Sequence, residues 1–239
     1  MSLERRPAEA IELLRRIPLR HAATALASSF GAEDMVLVDM IAKHGLPIAV
    51  VTLDTGRLPE ETHALMDRVR AHYGIAIEVY WPEARSVEAY VRAQGTNAFY
   101  RSTELRQSCC AIRKTEPLAR ALAGRGAWIT GLRRAQSPTR ARLATEEFDA
   151  VHGLPKFNPL ADWSEDDVWS YVRERGVPTN PLHERGYPSI GCAPCTRAIE
   201  AGEDIRAGRW WWEAAEHKEC GLHRRPLDVA VRVVAEQRA

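Results

Sequence analysis

Apolar residues recur at helical spacing over residues 8–17 (AEAIELLRRI), which predicts a surface helix. The small, apolar run His21 to Ala27 then reads as a buried strand. It ends in the polar loop Ser28-Ser29-Phe30-Gly31-Ala32-Glu33-Asp34, and an apolar helix follows from Met35 to His44, closed by Gly45 and Pro47. Ile48 to Leu53 repeats the strand pattern and ends in Asp54-Thr55-Gly56-Arg57. Pro59-Glu60-Glu61 opens another helix, with proline in the first turn and acids near the positive end of the dipole. Ile75 to Tyr80 gives a third strand and Val87 to Gln94 a short helix.

Strand, polar loop, helix, repeated, predicts an α/β fold: a mostly parallel sheet with helices on both faces. Ligands of such sheets bind beyond the carboxyl ends of the strands. The Ser28–Asp34 and Asp54–Arg57 loops occupy that position. Hydroxyls and N–H groups at a helix start suit an anion, although many such loops are only helix caps.

The second half is less regular. Leu105 to Ala123 reads as one helix, and Ala127 to Leu132 as a fourth strand running into the basic loop Arg133 to Arg140. That loop is either a solvated arginine turn or a clamp for an anionic substrate. Glu147 to Val151 predicts a short strand, and Ser164-Glu165-Asp166-Asp167 caps a helix reaching Arg175. Pro181 to Cys195 reads as loop over the core. Trp210-Trp211-Trp212 cannot share one face of any element, so at least one indole must pack elsewhere. There is no repeat and no clear linker. The organisation expected is one domain, residues 1–201, with a C-terminal extension over 202–239.

Composition narrows the class. The chain has 239 residues and is 45% hydrophobic, enough for a core without staples. No apolar run is long enough to span a membrane, and the first residues do not resemble a signal peptide, so a cytoplasmic, reducing compartment is expected. A net charge of +1 gives no bulk argument for nucleic acid. Only Lys43, Lys114, Lys156 and Lys218 among the 33 basic residues are lysine. The many arginines present forks suited to phosphate and sulfate oxygens.

The five cysteines fall as Cys109-Cys110, Cys192-Ala193-Pro194-Cys195 and a lone Cys220. A single cysteine is often a small buried apolar residue. A CC pair with a CxxC pair points instead to four thiolates on a metal or iron–sulfur site, leaving one thiol free to react. Adjacent residues on a helix point about 100° apart. Cys109 and Cys110 therefore reach one cluster only if their helix is kinked or the cluster sits at its end.

With these motifs stand Leu53-Asp54-Thr55-Gly56-Arg57, Cys109-Cys110-Ala111-Ile112-Arg113-Lys114, Gly131-Leu132-Arg133-Arg134, Gly208-Arg209-Trp210-Trp211-Trp212-Glu213 and Glu219-Cys220-Gly221-Leu222-His223. Nearly the whole chain resembles the assimilatory adenylyl-sulfate (APS) reductases, the cluster-bearing branch of the phosphoadenylyl-sulfate (PAPS) reductase family. The resemblance implies an adenine nucleotide α-hydrolase-like fold. It implies a [4Fe–4S] cluster on Cys109, Cys110, Cys192 and Cys195, and Cys220 as nucleophile. It sets Lys114, Arg140, Arg206, Arg209 and His223 around the phosphosulfate. Leu53, Thr55, Gly131, Ser28 and Ser29 would hold the nucleoside. Reduced thioredoxin as partner and a tetrameric homo-oligomer are also implied. The first loop differs from the glycine-richer SGGxDS of ATP-using relatives, and bulky Phe30 argues against a cradle for pyrophosphate.

The chemistry suits these residues. Oxygens bearing negative charge surround the sulfur of APS, so cations should ease the approach of a thiolate. Cys220 would attack that sulfur, AMP would leave, and thioredoxin would discharge the S-sulfocysteine as sulfite. Other readings are a PAPS reductase, a zinc-bearing thiolation enzyme of the same fold, and an iron–sulfur redox sensor that keeps only a nucleotide fold.

Overall fold

In the computed structural model, which describes residues 5–213, the strand expected from His21 begins at Ala25 and runs to Ser28 (β1). It pairs in parallel with β2 (Ala49–Leu53), which in turn pairs with β3 (Ile77–Tyr80). On its other side β1 pairs in parallel with β4 (Trp128–Ile129). A hairpin completes the sheet: β5 (Glu146–Asp149) is antiparallel to β6 (Leu154–Phe157), and β6 is parallel to β4. The order is β3-β2-β1-β4-β6-β5, so the connections leaving β1 and β4 run to opposite sides and open a crevice at the strand ends.

Helices α1 (Arg5–Arg20), α2 (Ala32–Lys43), α3 (Glu60–Tyr73) and, later in the chain, α7 (Glu165–Arg175) share the main core. Leu14 and Ile17, Met35 to Ile41, Leu65, Val69, Val168 and Val172 are buried there. α2 lies in the middle of this layer, with Met35 through Ile41 all buried. Its most deeply buried carboxylate, Asp39, accepts from the hydroxyls of Tyr73 and Tyr171, 2.8 Å each, and pairs with Lys43 at 2.8 Å. α2, α3 and α7 are thus tied by one group that is 0% exposed. On the opposite face α6 (Glu116–Leu122) packs Leu118 and Leu122 on Trp128, and Ala121 on Ala25 and Val51.

Two elements between β3 and α6 carry the first cysteine pair and its surroundings: α4 (Ala84–Gln94) and α5 (Thr103–Cys110). Ser102 caps α5 by accepting from the Leu105 N–H. The single helix expected over Leu105 to Ala123 is in fact three pieces: α5, a wide π-helical turn over Ala111–Thr115, and α6. Pro117 supplies the cause, since it has no N–H to offer the carbonyl of Arg113 and the turn must widen. Cys109 and Cys110 thereby end their helix, which is the condition their adjacency required.

Two other expectations are corrected, and one strand was not foreseen. The fourth strand is only Trp128–Ile129, because the chain leaves the ladder at Gly131 to approach Asp34 so closely that a Cβ there would collide with its carboxylate. β6 has no clear strand pattern, with Pro155 and Lys156 at its centre. Lys156 is nevertheless buried, its ammonium 5.3 Å from the centre of the Trp128 ring and 3.0 Å from Glu147. Pro181 to Cys195 contains two short 3₁₀ turns, Pro181–Arg185 and Ala193–Cys195.

Asp39→Ala should leave the buried Tyr171 hydroxyl and the half-buried Tyr73 hydroxyl without their acceptor and cost about 3 kcal/mol. Thermal melting should then fall by roughly 6–12 °C, and Tyr171→Phe by a fraction of that. An Asp39→Ala protein that melts with the wild type would show that Asp39 does not hold the three helices together.

Candidate active site

A cavity of about 260 Å³ opens at the carboxyl ends of β1, β2 and β4. Ser28 and Ser29 reach it from the end of β1, Leu53 and Thr55 from the end of β2, and Gly131 from beyond β4. Lys114 enters from the π turn, Arg140 from the basic loop, and Arg206 and Arg209 from the segment after the second cysteine pair. Nine residues singled out in the sequence therefore meet at one cavity. Cys220 and His223 lie outside the described residues.

The β1–α2 loop is built around a carboxylate. Asp34 accepts from the Ser29 N–H at 2.6 Å and the Ser29 hydroxyl at 2.8 Å. Burial pushes its carboxyl up to about 6, against the hydrogen bonds from Ser29 and from the Gly131 N–H, which pull it down. Phe30 takes a left-handed backbone, φ 59°, and is 1% exposed in the main core. Its bulk does not line the cavity, so the expectation that it obstructs a pyrophosphate is corrected. The loop donors of Ser29 are occupied by Asp34 instead.

Beside Asp34, Glu33 accepts from Arg133 at 2.7 and 2.8 Å and from the Gln136 amide at 2.9 Å. Arg133 is 3% exposed, so part of the basic loop is an internal brace. Arg140 is hydrogen-bonded to Gln136 at 2.5 Å and half-buried at the cavity wall. Trp169 and His183 close another side. None of these brace and wall residues except Arg140 was expected as a site residue. Glu33 and Asp34 sat within the quoted loop, but nothing in its pattern says which carboxylate turns inward.

The four cysteines border a second, much smaller cavity, together with Arg57, Phe99, Arg106, Arg113, Lys114, Pro194 and Trp210. Lys114, Cys192 and Trp210 line both cavities, so the two sites share a wall. Cys192 is within 3.2 Å of the Thr55 hydroxyl. Arg113 donates to the Thr55 carbonyl at 2.6 Å, and Gly56 leaves room for that guanidinium. Burial pushes the Cys195 thiol up to about 12 and Cys192 adds to this, while Lys114 and Arg209 oppose it. Burial also raises Cys109, opposed first by Arg113. Bare thiolates are thus disfavoured here unless positive charge arrives to match them.

The donor set fits an iron–sulfur cluster: four thiols, no competing nitrogen or carboxylate ligand on the cavity wall, and a surround of cations. Among the described residues no three His, Cys, Asp or Glu side chains gather closely enough for one metal ion. The four cysteines instead share the lining of one small cavity.

The three tryptophans separate as expected. Trp210 is 1% exposed between the two sites, Trp212 packs edge-on to Tyr100 with ring centres 4.4 Å apart, and Trp211 is 47% exposed.

The phosphoadenosine phosphosulfate reductase domain matches residues 23–198. The chain belongs to this family. It is 58% identical over 224 residues to the adenosine 5′-phosphosulfate reductase of Allochromatium vinosum, covering 94% of this chain and 88% of that one. It is 59% identical to the Burkholderia cepacia protein of the same name, over 88% and 84% of the two chains. Among solved structures, the phosphate complex of the PAPS reductase from Candida auris superposes with a TM-score of 0.68 at 27% identity, covering 82% of this chain and 96% of that one. The Candida glabrata FMN adenylyltransferase superposes with a TM-score of 0.56 at 13% identity, over 91% and 76%. The architecture is the adenine nucleotide α-hydrolase-like one, as the family resemblance implies. Among the described residues of this family member no helix is long and apolar enough to cross a membrane.

The raised Asp34 gives a pH test. Its native pKa lies above the unfolded value, so the native state holds this proton more tightly, and stability is gained as pH falls through about 6. Relative to Asp34→Asn, the wild type should gain about 1 kcal/mol, roughly 2–4 °C in melting temperature, between about pH 7.5 and about pH 5.5. A gap that does not change with pH would mean that Asp34 is not held up by burial.

Proposed function

We propose that this protein reduces adenosine 5′-phosphosulfate to sulfite and AMP in sulfate assimilation, using reduced thioredoxin and a [4Fe–4S] cluster. The observation that carries the reading is the shared wall: a cavity lined by Lys114, Arg206 and Arg209 adjoins the four cysteines. The names and high identity of the relatives support the substrate. A reducing cytoplasm suits both the thiols and the partner. The resemblance extends to a tetramer.

In this reading Ser28, Ser29, Leu53, Thr55 and Gly131 hold the nucleoside at the strand ends. Lys114, Arg140, Arg206, Arg209 and His223 face the phosphosulfate. The Cys220 thiolate attacks the sulfur, a sulfur–sulfur bond forms, and the bond from sulfur to the phosphate oxygen breaks. AMP leaves with that electron pair, its charge met by the cations. A thioredoxin thiolate then attacks the Cys220 sulfur and sulfite departs with the pair of the broken bond. The second thioredoxin thiol resolves the mixed disulfide, so thioredoxin is oxidised and Cys220 is restored. Cys109, Cys110, Cys192 and Cys195 would hold the cluster, which would supply a fixed charge to the cavity that Lys114 also lines and would link the π turn to the second cysteine pair.

Protein mixed with APS alone should gain one SO₃ group on Cys220 and release AMP, and reduced thioredoxin should discharge the adduct as sulfite. Cys220→Ser should form none, yet remain brown with about four irons per chain. Sulfite from the serine variant at wild-type rate, or an adduct elsewhere, refutes the role of Cys220. A colourless, zinc-loaded active protein refutes the cluster. Faster turnover of the 3′-phosphorylated nucleotide would make the enzyme a PAPS reductase.

Lys114→Ala, Arg206→Ala and Arg209→Ala should each weaken APS binding or turnover roughly tenfold or more, the loss of one charge-assisted contact of about 1.5–3 kcal/mol. Unchanged kinetics in all three would move the anion site elsewhere.

A further inference from the structure

Arg106 lies one turn before Cys110 in α5, on the same side of the helix. Its side chain is 0% exposed, and that of its partner Glu213 is 5% exposed. The two meet through a fork, Nε to Oε1 at 2.7 Å and Nη2 to Oε2 at 2.9 Å. Arg106 also hydrogen-bonds the Cys110 sulfur. A buried ion pair is a weak source of net stability, because stripping water from both charges offsets most of their attraction. What a fork fixes well is position and orientation.

The object it orients is Trp210. This residue takes a left-handed backbone, φ 42°, which a bulky side chain keeps only where its surroundings hold it. The guanidinium carbon of Arg106 lies 4.7 Å from the Trp210 ring centre, and that of Arg209 lies 4.7 Å from the same centre. Gly191 gives Arg209 its room, since a Cβ there would collide with the guanidinium. A continuous stack therefore runs from the Glu213 carboxylate through Arg106 and the indole to Arg209, which lines the substrate cavity. Arg106 and Glu213 do not line that cavity themselves.

The structure assigns Arg106 and Glu213 a positioning role in substrate binding. The fork sets the Trp210 indole, and the indole holds the Arg209 guanidinium where it meets the anionic end of the sulfonucleotide. Glu213 also balances the charge of Arg106, so that the charge of Arg209 remains available to the ligand. This rests on the reading of Arg209 given under Proposed function.

The test is equilibrium binding of APS by calorimetry to cluster-loaded protein in a Cys220→Ser background, which blocks turnover. Glu213→Gln and Arg106→Lys should each weaken APS about tenfold while iron content stays at the parent level, and Glu213→Asp should recover part of the loss. Arg209→Ala combined with Glu213→Gln should bind APS no more weakly than Arg209→Ala alone. If the glutamine variant does not fold, Arg106→Met with Glu213→Leu replaces the pair by apolar bulk and should show the same APS deficit. Additive losses, or parent-like APS affinity in Glu213→Gln or in the apolar double variant, overturn the positioning role. Arg209→Ala weakened with Glu213→Gln unaffected refutes the positioning alone. Parent-like binding by Arg209→Ala refutes the reading of Arg209, and the proposal with it.

Discussion

Positive charge kept out of water, beside four thiols, is the constraint that the rest of the structure meets. Two unit charges 4 Å apart interact by about 4 kcal/mol at an effective dielectric of 20, so buried cations of like sign repel strongly unless something answers them. Each guanidinium here has its own answer. Arg106 has Glu213, Arg113 has the Thr55 carbonyl, Arg133 has Glu33, and Arg209 has the face of Trp210. With these four held in place, Lys114 and Arg206 stand with Arg209 on the cavity wall. An anionic ligand and a thiolate-bound centre are the species such an array would stabilise.

The sheet decides where this charge can be gathered. β1 sits between β2 and β4, so the loops leaving their carboxyl ends converge on one crevice. Residues separated by most of the chain, from Ser28 to Arg209, become neighbours without any one segment carrying the site. The π turn adds the local adjustment. By ending α5 at Cys110 it lets Cys109, Cys110 and Lys114 face a common space, which a continuous helix would not do.

Much of this was legible in the sequence, and the reasons differ by element. β1, β2 and β3 announce themselves because they are buried runs bounded by polar loops. Nine of the residues that line the cavity were singled out from the sequence, while its wall at Glu33, Trp169 and His183 was not. Other features depend on contacts between distant segments. β6 holds Pro155 and a buried Lys156, and only the Trp128 ring and Glu147 explain why a lysine sits there. The pairing of Arg106 with Glu213 joins residues 107 positions apart, and no periodicity records it. That one of the three tryptophans would pack apart from the others could be foreseen, but not that it is Trp210, nor that it lies against two arginines.

The loop after β1 shows how a sound expectation can rest on the wrong atom. Its sequence suggests that Phe30 crowds out a pyrophosphate. The ring instead points into the core, leaving its strained backbone to shape the turn. What a phosphate would need from this loop are N–H and O–H donors, and Asp34 already draws on those of Ser29 and on the Gly131 N–H. A carboxylate so placed competes with a phosphate for donors and repels its charge. At neutral pH it is mostly ionised, since its pKa is pushed up only to about 6. The consequence for the ligand follows from charge. A nucleotide whose anionic tail turns toward Lys114 and Arg209 meets cations, whereas one whose tail folded back over the loop would meet Asp34. The loop therefore favours a short tail directed at the cysteines.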